Sequence, residues 1–129
     1  MLDRAAVEAF LDRMRRARIA GDCDALLELF DDDAVFTVVG LGPGARGKDA
    51  IRTALNGLIE QFEFVAWTPI EIVVNGDEIA VRHRLEARHT ATGRTAETET
   101  SEFLSMKDGR CRSLTQYTDT ALVAVLTAL

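Results

Sequence analysis

Three short runs of this sequence pair residue types and spacings that could do chemistry. The run GPGARGKD sets Gly42, Gly47 and Lys48 where a phosphate-cradling loop of the form G-x-x-x-x-G-K-[ST] needs them. Arg84-Leu85-Glu86 and Tyr117-Thr118-Asp119 each place two polar groups two residues apart. On a strand, residues at that spacing share a face. The phosphate reading fails at Asp49, which stands where a magnesium-binding hydroxyl belongs and would repel phosphate oxygens. A carboxylate there instead suits the first turn of a helix, as a partner for its dipole or as its N-cap.

The surrounding pattern has to position these groups. Residues 3–20 read as a helix capped by Asp3, with Val7, Phe10, Leu11, Met14 and Ile19 near helical spacing and Gly21 as its stop. A second short helix carries Leu26, Leu27, Leu29 and Phe30. The acidic run Asp31–Asp33 then reads as a turn, followed by the strand AVFTVV. A third helix has the apolar stripe Ile51, Leu55, Leu58, Ile59 and Phe62. From about Pro69 the pattern turns to strands, with hairpin signals at Asn75-Gly76 and Asp108-Gly109. The tail ALVAVLTAL reads as a last short helix. Helices first and an antiparallel meander last give an α+β order, not the parallel crossovers of a nucleotide-binding sheet.

The 129 residues suit one domain, 1–129, and 47% hydrophobic content is ample for a core. A net charge of −6 disfavours nucleic acid and anionic membranes as partners. Cys23 and Cys111 are far apart and lack a nearby histidine at ligand spacing, so no metal site is expected and both read as reduced thiols. The amino terminus MLDRAAVEAF is charged and helical, and no run approaches a membrane span in length. The expectation is a cytoplasmic protein. No cofactor motif is present.

The stretches GDCDALLELFDDDAVF, RGKDAIRTAL and KDGRCRSLTQYTDTALV together resemble the SnoaL-like and limonene-epoxide-hydrolase-like branch of the nuclear transport factor 2-like superfamily. The resemblance runs from about Val7 to Val125. It implies a cone, in which a curved, mixed or antiparallel sheet wraps around three N-terminal helices and leaves an internal pocket for a small organic ligand. It also implies a homodimer formed through the outer sheet face. The superfamily hosts isomerases, cyclases, epoxide hydrolases and plain binding proteins, so the fold leaves the activity open.

Set against ketosteroid isomerases, the base position falls on Val38 and the tyrosine position on Met14, so both catalytic groups are absent. Set against limonene-epoxide hydrolases, Arg84 and Glu86 match an Arg-x-Asp motif, with Glu for Asp, and Tyr117 and Asp119 match a Tyr-x-Asp motif. The resemblance then implies that, of Asp119 and Glu86, one carboxylate takes a proton from water and the other gives one to the epoxide oxygen while Arg84 bridges them. In a cyclase or isomerase, Asp119 would act as acid/base with Arg84 and Glu86 orienting and polarising. Repulsion between two such carboxylates would separate their pKa values into an acid and a base. The positions that hold the attacking water in that family are Phe36 and Val38 here, which weakens epoxide hydrolysis and leaves cyclisation or isomerisation through Asp119.

The expected pocket wall is Met14, Phe36, Val38, Trp67, Thr98, Thr100 and Tyr117, with Glu102 a further candidate. Simpler readings stand beside these. Arg84 and Glu86 suit an exposed ion pair, Asp119 suits an N-cap, and ETETSE (Glu97–Glu102) suits a solvated strand face. His83 shares the apolar face of its strand and reads as buried, whereas His89, near a turn, reads as solvated. If the outer face is a dimer interface, the apolar set Ile79, Val81, Leu85 and Ala87 belongs there, and Arg82, Arg84, Glu86 and Arg88 line the pocket. We take that arrangement as the expectation. The second functional reading is a non-catalytic ligand-binding or dimerisation module.

Overall fold

The computed structural model describes residues 2–128. Helix α1 spans Arg4–Ala20, with the Asp3 carboxylate accepting from the Ala6 N–H at 2.7 Å and Gly21 (φ 64°) ending it in the left-handed region. Its buried stripe is Val7, Phe10, Leu11, Met14 and Ala17. Ile19 is 38% exposed, so the stripe does not continue through it as expected. Arg18, four residues beyond Met14, continues the stripe instead, and its side chain is only 10% exposed.

Helix α2 is Cys23–Glu28, capped by Asp22. Strand β1 is Phe30–Val38 and includes the acidic run expected to form a turn. That run passes through an irregular stretch, where the pairing register shifts between Phe30 and Val35. A two-residue strand β2 (Ala45–Arg46) follows, then helix α3 (Lys48–Gln61), which starts at Gly47 (φ 84°) with no side-chain cap. Asp49 sits in its first turn and is therefore a dipole partner, not the N-cap.

The meander is β3 (Phe62–Asn75), β4 (Glu78–His89), β5 (Thr95–Lys107) and β6 (Arg110–Tyr117). Strand β3 starts earlier than the expected Pro69 and takes Phe62 out of the helix. The β5–β6 turn holds both Asp108 (φ 52°) and Gly109 (φ 77°) in the left-handed region, as a tight two-residue hairpin requires. Helix α4, Thr120–Thr127, follows β6. The sheet order is β2-β1-β6-β5-β4-β3. Among the described residues only the β1–β6 pairing is parallel, so the sheet is mixed and the class is α+β.

The larger core cluster joins α1, α2 and α3 to the sheet through side chains such as Val7, Leu11, Ile51, Leu104 and Leu114. Each such burial contributes about 1.5–3 kcal/mol against the unfolded chain. A smaller cluster of Phe62, Trp67, Leu85, Ala87 and Leu126 ties β3 and β4 to α4.

The faces of β4 are the reverse of the expected arrangement. Val81, His83, Leu85 and Ala87 are buried, while Arg82, Arg84 and Arg88 are exposed and Glu86 is half-buried. Register fixes the matching face of β5: His83 pairs with Thr100, Leu85 with Thr98 and Val81 with Glu102. Burying the alternative set would strip water from four charges on one strand, a cost no apolar contact outside could offset.

Candidate functional site

One cavity opens between the concave face of the sheet, α3 and α4, with about 860 Å³ of atom-free space when the open solvent at its mouth is included. Its walls are apolar. Phe36 and Val38 come from β1, Leu55, Leu58 and Ile59 from α3, and Phe62, Phe64 and Trp67 from β3. Leu85 and Ala87 of β4 and Leu122, Val123 and Leu126 of α4 complete them. The polar groups in the wall are few: Arg18, Thr98, Thr100, Gln116, Thr118 and Asp119. A mostly apolar wall with a small number of polar groups is the usual composition of a small-molecule site.

Arg18 is held by an unusual partner. Glu102 is wholly buried on β5 and accepts from both guanidinium ends, Nη1 to Oε1 at 2.9 Å and Nη2 to Oε2 at 2.5 Å. His83 Nε2 lies 2.8 Å from Oε1, and Gln116 Nε2 donates to Oε2 at 3.0 Å. Burial is the largest influence on this carboxyl and pushes its pKa up. The Arg18 charge and the His83 and Arg18 hydrogen bonds together outweigh it and hold the pKa at about 2. An ionised carboxylate only accepts, so His83 donates to it from Nε2. Its Nδ1 is buried without a partner, as is the indole N–H of Trp67. The Arg18 guanidinium also lies over the Trp67 ring, 4.2 Å from its centroid.

Glu102 is thus saturated with donors and strongly acidic, which makes it a poor base but a firm anchor. Its charge also joins burial in raising the Cys111 thiol to about 12, burial being the larger influence. That thiol is inert at neutral pH.

The structure separates the residues singled out in the sequence. Phe36, Val38, Trp67, Thr98, Thr100 and Asp119 line the cavity. Met14 is packed in the helix–sheet core, 1% exposed, and does not reach the cavity wall. Tyr117 is half-exposed and stacks edge-on against Phe103 on the outer face. Arg84, 64% exposed, sits 3.8 Å from Glu99 on that same outer face, and Glu86 stands opposite Glu97 there. The three groups Arg84, Glu86 and Asp119 therefore do not converge in the cavity. Asp119 Oδ1 accepts from the Leu122 N–H at 3.0 Å and caps α4 from the cavity wall. His89, expected in solvent, is 6% exposed and bonds Thr92 Oγ1 at 2.9 Å.

Sequence reasoning missed Arg18 as a site residue and gave Glu102 no partner. Both carried a signal. Arg18 falls on the Val7–Leu11–Met14 stripe, and Glu102 shifts the acidic residues of β5 from odd positions (Glu97, Glu99) to an even one. Among the described residues, no group of three or more His, Cys, Asp or Glu side chains is arranged to hold a metal ion, and no helix is long and apolar enough to cross a membrane.

Comparison with solved structures places the fold. An isomerase candidate from Bacillus subtilis superposes with a TM-score of 0.87 at 19% identity, covering 98% of this chain and 95% of that one. A SnoaL-like polyketide cyclase candidate from Jannaschia sp. CCS1 gives 0.83 at 16% identity, with 100% and 99% covered. A protein with a ketosteroid isomerase-like fold from Catenulispora acidiphila, solved with trimethylamine, gives 0.82 at 14%, with 93% and 92% covered. No curated protein matches the chain. The SnoaL-like domain matches residues 4–114, from the start of α1 into β6, and on that match the chain belongs to the SnoaL-like domain family.

Proposed function

We propose that this domain binds a compact, largely apolar organic molecule in its cone and transforms it by acid/base chemistry without a cofactor, as a cyclase or isomerase does. The observation that carries this reading is the apolar cavity with Arg18 and Asp119 as its charged wall residues. Asp119 is the proposed proton-transfer group, because it is the carboxylate in that wall. The cyclase and isomerase candidates among its structural relatives support the class. Epoxide hydrolysis through Arg84, Glu86 and Asp119 draws no support, since the first two face away from the cavity.

A second reading, a ligand-binding module without turnover, is favoured by one observation: Asp119 is already engaged as the cap of α4. Trp67, the only tryptophan in the sequence, lies in the wall and reports on both readings. Titration with compact ring compounds should give a saturable change in its fluorescence, and the bound compounds can then be followed for turnover by mass spectrometry. A folded protein that responds to none of a broad panel would defeat the pocket reading; binding without conversion would favour the module.

We also propose a homodimer through the outer sheet face. Phe103 and Val73 are 53% and 57% exposed there, aligned through Ala80, which pairs with both. Light scattering should report a dimer, and Phe103→Glu should shift it to monomer; a wild-type monomer at high concentration would refute this.

A further inference from the structure

We propose that Arg18 is the polar docking point of the cavity and that it selects ligands carrying a neutral carbonyl-type oxygen. The inference rests on the pocket reading above and deepens it. A guanidinium has five N–H donors, and Glu102 takes two of them. The remaining donors belong to a side chain that is nine-tenths buried and forms part of the cavity wall. Donors so placed have little water to satisfy them and gain from an acceptor brought by the ligand.

The guanidinium is also fixed in place. Glu102 grips it at two points, and the Trp67 ring packs against it. Holding it costs a bound ligand no further side-chain ordering. A second donor stands nearby: the Trp67 indole N–H is buried and unpartnered in a residue that contacts Arg18 and lines the same cavity. Two buried donors in a mostly apolar wall call for an oxygen at one end of an apolar body.

The charge balance selects a neutral oxygen over a carboxylate. Arg18 is neutralised by Glu102 within hydrogen-bond distance, and Asp119 adds a negative charge to the wall. A carboxylate entering the cavity would lose its hydration and meet no uncompensated cation. A ketone or similar oxygen loses far less water and still accepts from Arg18. Glu102 is then a positioning residue: it acts on the ligand only by orienting the guanidinium.

The test uses three probes of similar size and shape: α-tetralone, its hydrocarbon analogue tetralin, and naphthoate. Binding is read by Trp67 fluorescence and by calorimetry. The wild-type domain should bind α-tetralone about 10- to 100-fold more tightly than tetralin, the range for a hydrogen bond to a charged donor. Naphthoate should bind more weakly than α-tetralone. Arg18→Met risks the fold by stranding Glu102, so the double variant Arg18→Met/Glu102→Gln is measured alongside it. In the double variant, tetralin affinity should hold while the preference for the ketone disappears.

Equal binding of α-tetralone and tetralin by the wild type would overturn the docking role and leave the pocket reading intact. A ketone preference that survives the double substitution would do the same. Tighter binding of naphthoate would overturn the neutral-oxygen assignment. Saturable binding of none of the three would count against the pocket reading itself.

Discussion

Replacing Arg18 with methionine should reverse the way stability responds to acid at one residue. In the native domain Glu102 is wholly buried, and its pKa falls from 4.5 to about 2. A folded-state value below the unfolded one means the stabilisation is fully present above pH 4.5 and lost as the pH falls towards 2. That gap is worth roughly 3 kcal/mol. The Arg18→Met variant keeps the burial, the largest influence and an upward one, and removes the foremost influence opposing it. The folded-state pKa should then rise above the unfolded value. Above that raised value the buried carboxylate is a penalty, and protonation relieves it as the pH falls.

At pH 7 the variant should therefore be less stable by roughly 3–5 kcal/mol, the usual cost of removing one partner of a buried pair. Below pH 4 the difference should shrink towards the small packing change of Arg to Met. Urea unfolding of both proteins at several pH values from 7 to 3 measures this directly, because the other acidic groups cancel in the difference. A difference that stays constant with pH, or is below about 1 kcal/mol at neutral pH, would refute the coupling of Arg18 to Glu102. Adding Glu102→Gln to Arg18→Met should recover much of the loss at pH 7.

Asp119→Asn should leave stability within a few tenths of a kcal/mol, since asparagine caps as well as aspartate, yet abolish any turnover; Asp119→Ala should cost about 1 kcal/mol in unfolding experiments. Arg84→Ala, at an exposed position with only a long contact to Glu99, should change stability by less than about 0.5 kcal/mol and leave probe binding by Trp67 fluorescence unchanged. A thiol reagent at mildly alkaline pH should label Cys23 in the native protein, while Cys111, fully buried with its thiol pushed up to about 12, reacts only on unfolding.

The elements were legible in the sequence because each is locally consistent. Asp3 and Gly21 bracket α1, and Asp108-Gly109 marks the last hairpin. The acidic stretch of β1 was not, since Asp31–Asp33 have the composition of a turn and lie in the strand only because Phe30 and Val35 on either side of them pair with a distant β6. Of the site, Phe36 and Val38 were placed by the family resemblance, and Thr98 and Thr100 by an arrangement of the sheet faces that the structure reverses. Which face of β4 turns inward could not be settled by alternation once a dimer interface was allowed to claim the apolar face. The deciding fact is tertiary: Leu85 and Ala87 are needed by Phe62, Trp67 and Leu126. A buried Arg–Glu pair is equally invisible locally, because its two halves lie 84 residues apart and each looks like a surface charge in its own neighbourhood.

The place of β6 in the sheet governs the order in which the chain can assemble. It lies between β5, its hairpin partner, and β1, which was synthesised some eighty residues earlier. Until β6 emerges, β1 and β2 have no edge to join, and the β3–β5 meander exposes the edge that β6 will cover. Helix α4, which completes the cavity wall, comes later still. A growing chain therefore holds its apolar concave surface incompletely covered until β6 and α4 have emerged. Truncation within β6 or α4 should release a species prone to association, and docking of α4 should be the step that completes the cavity.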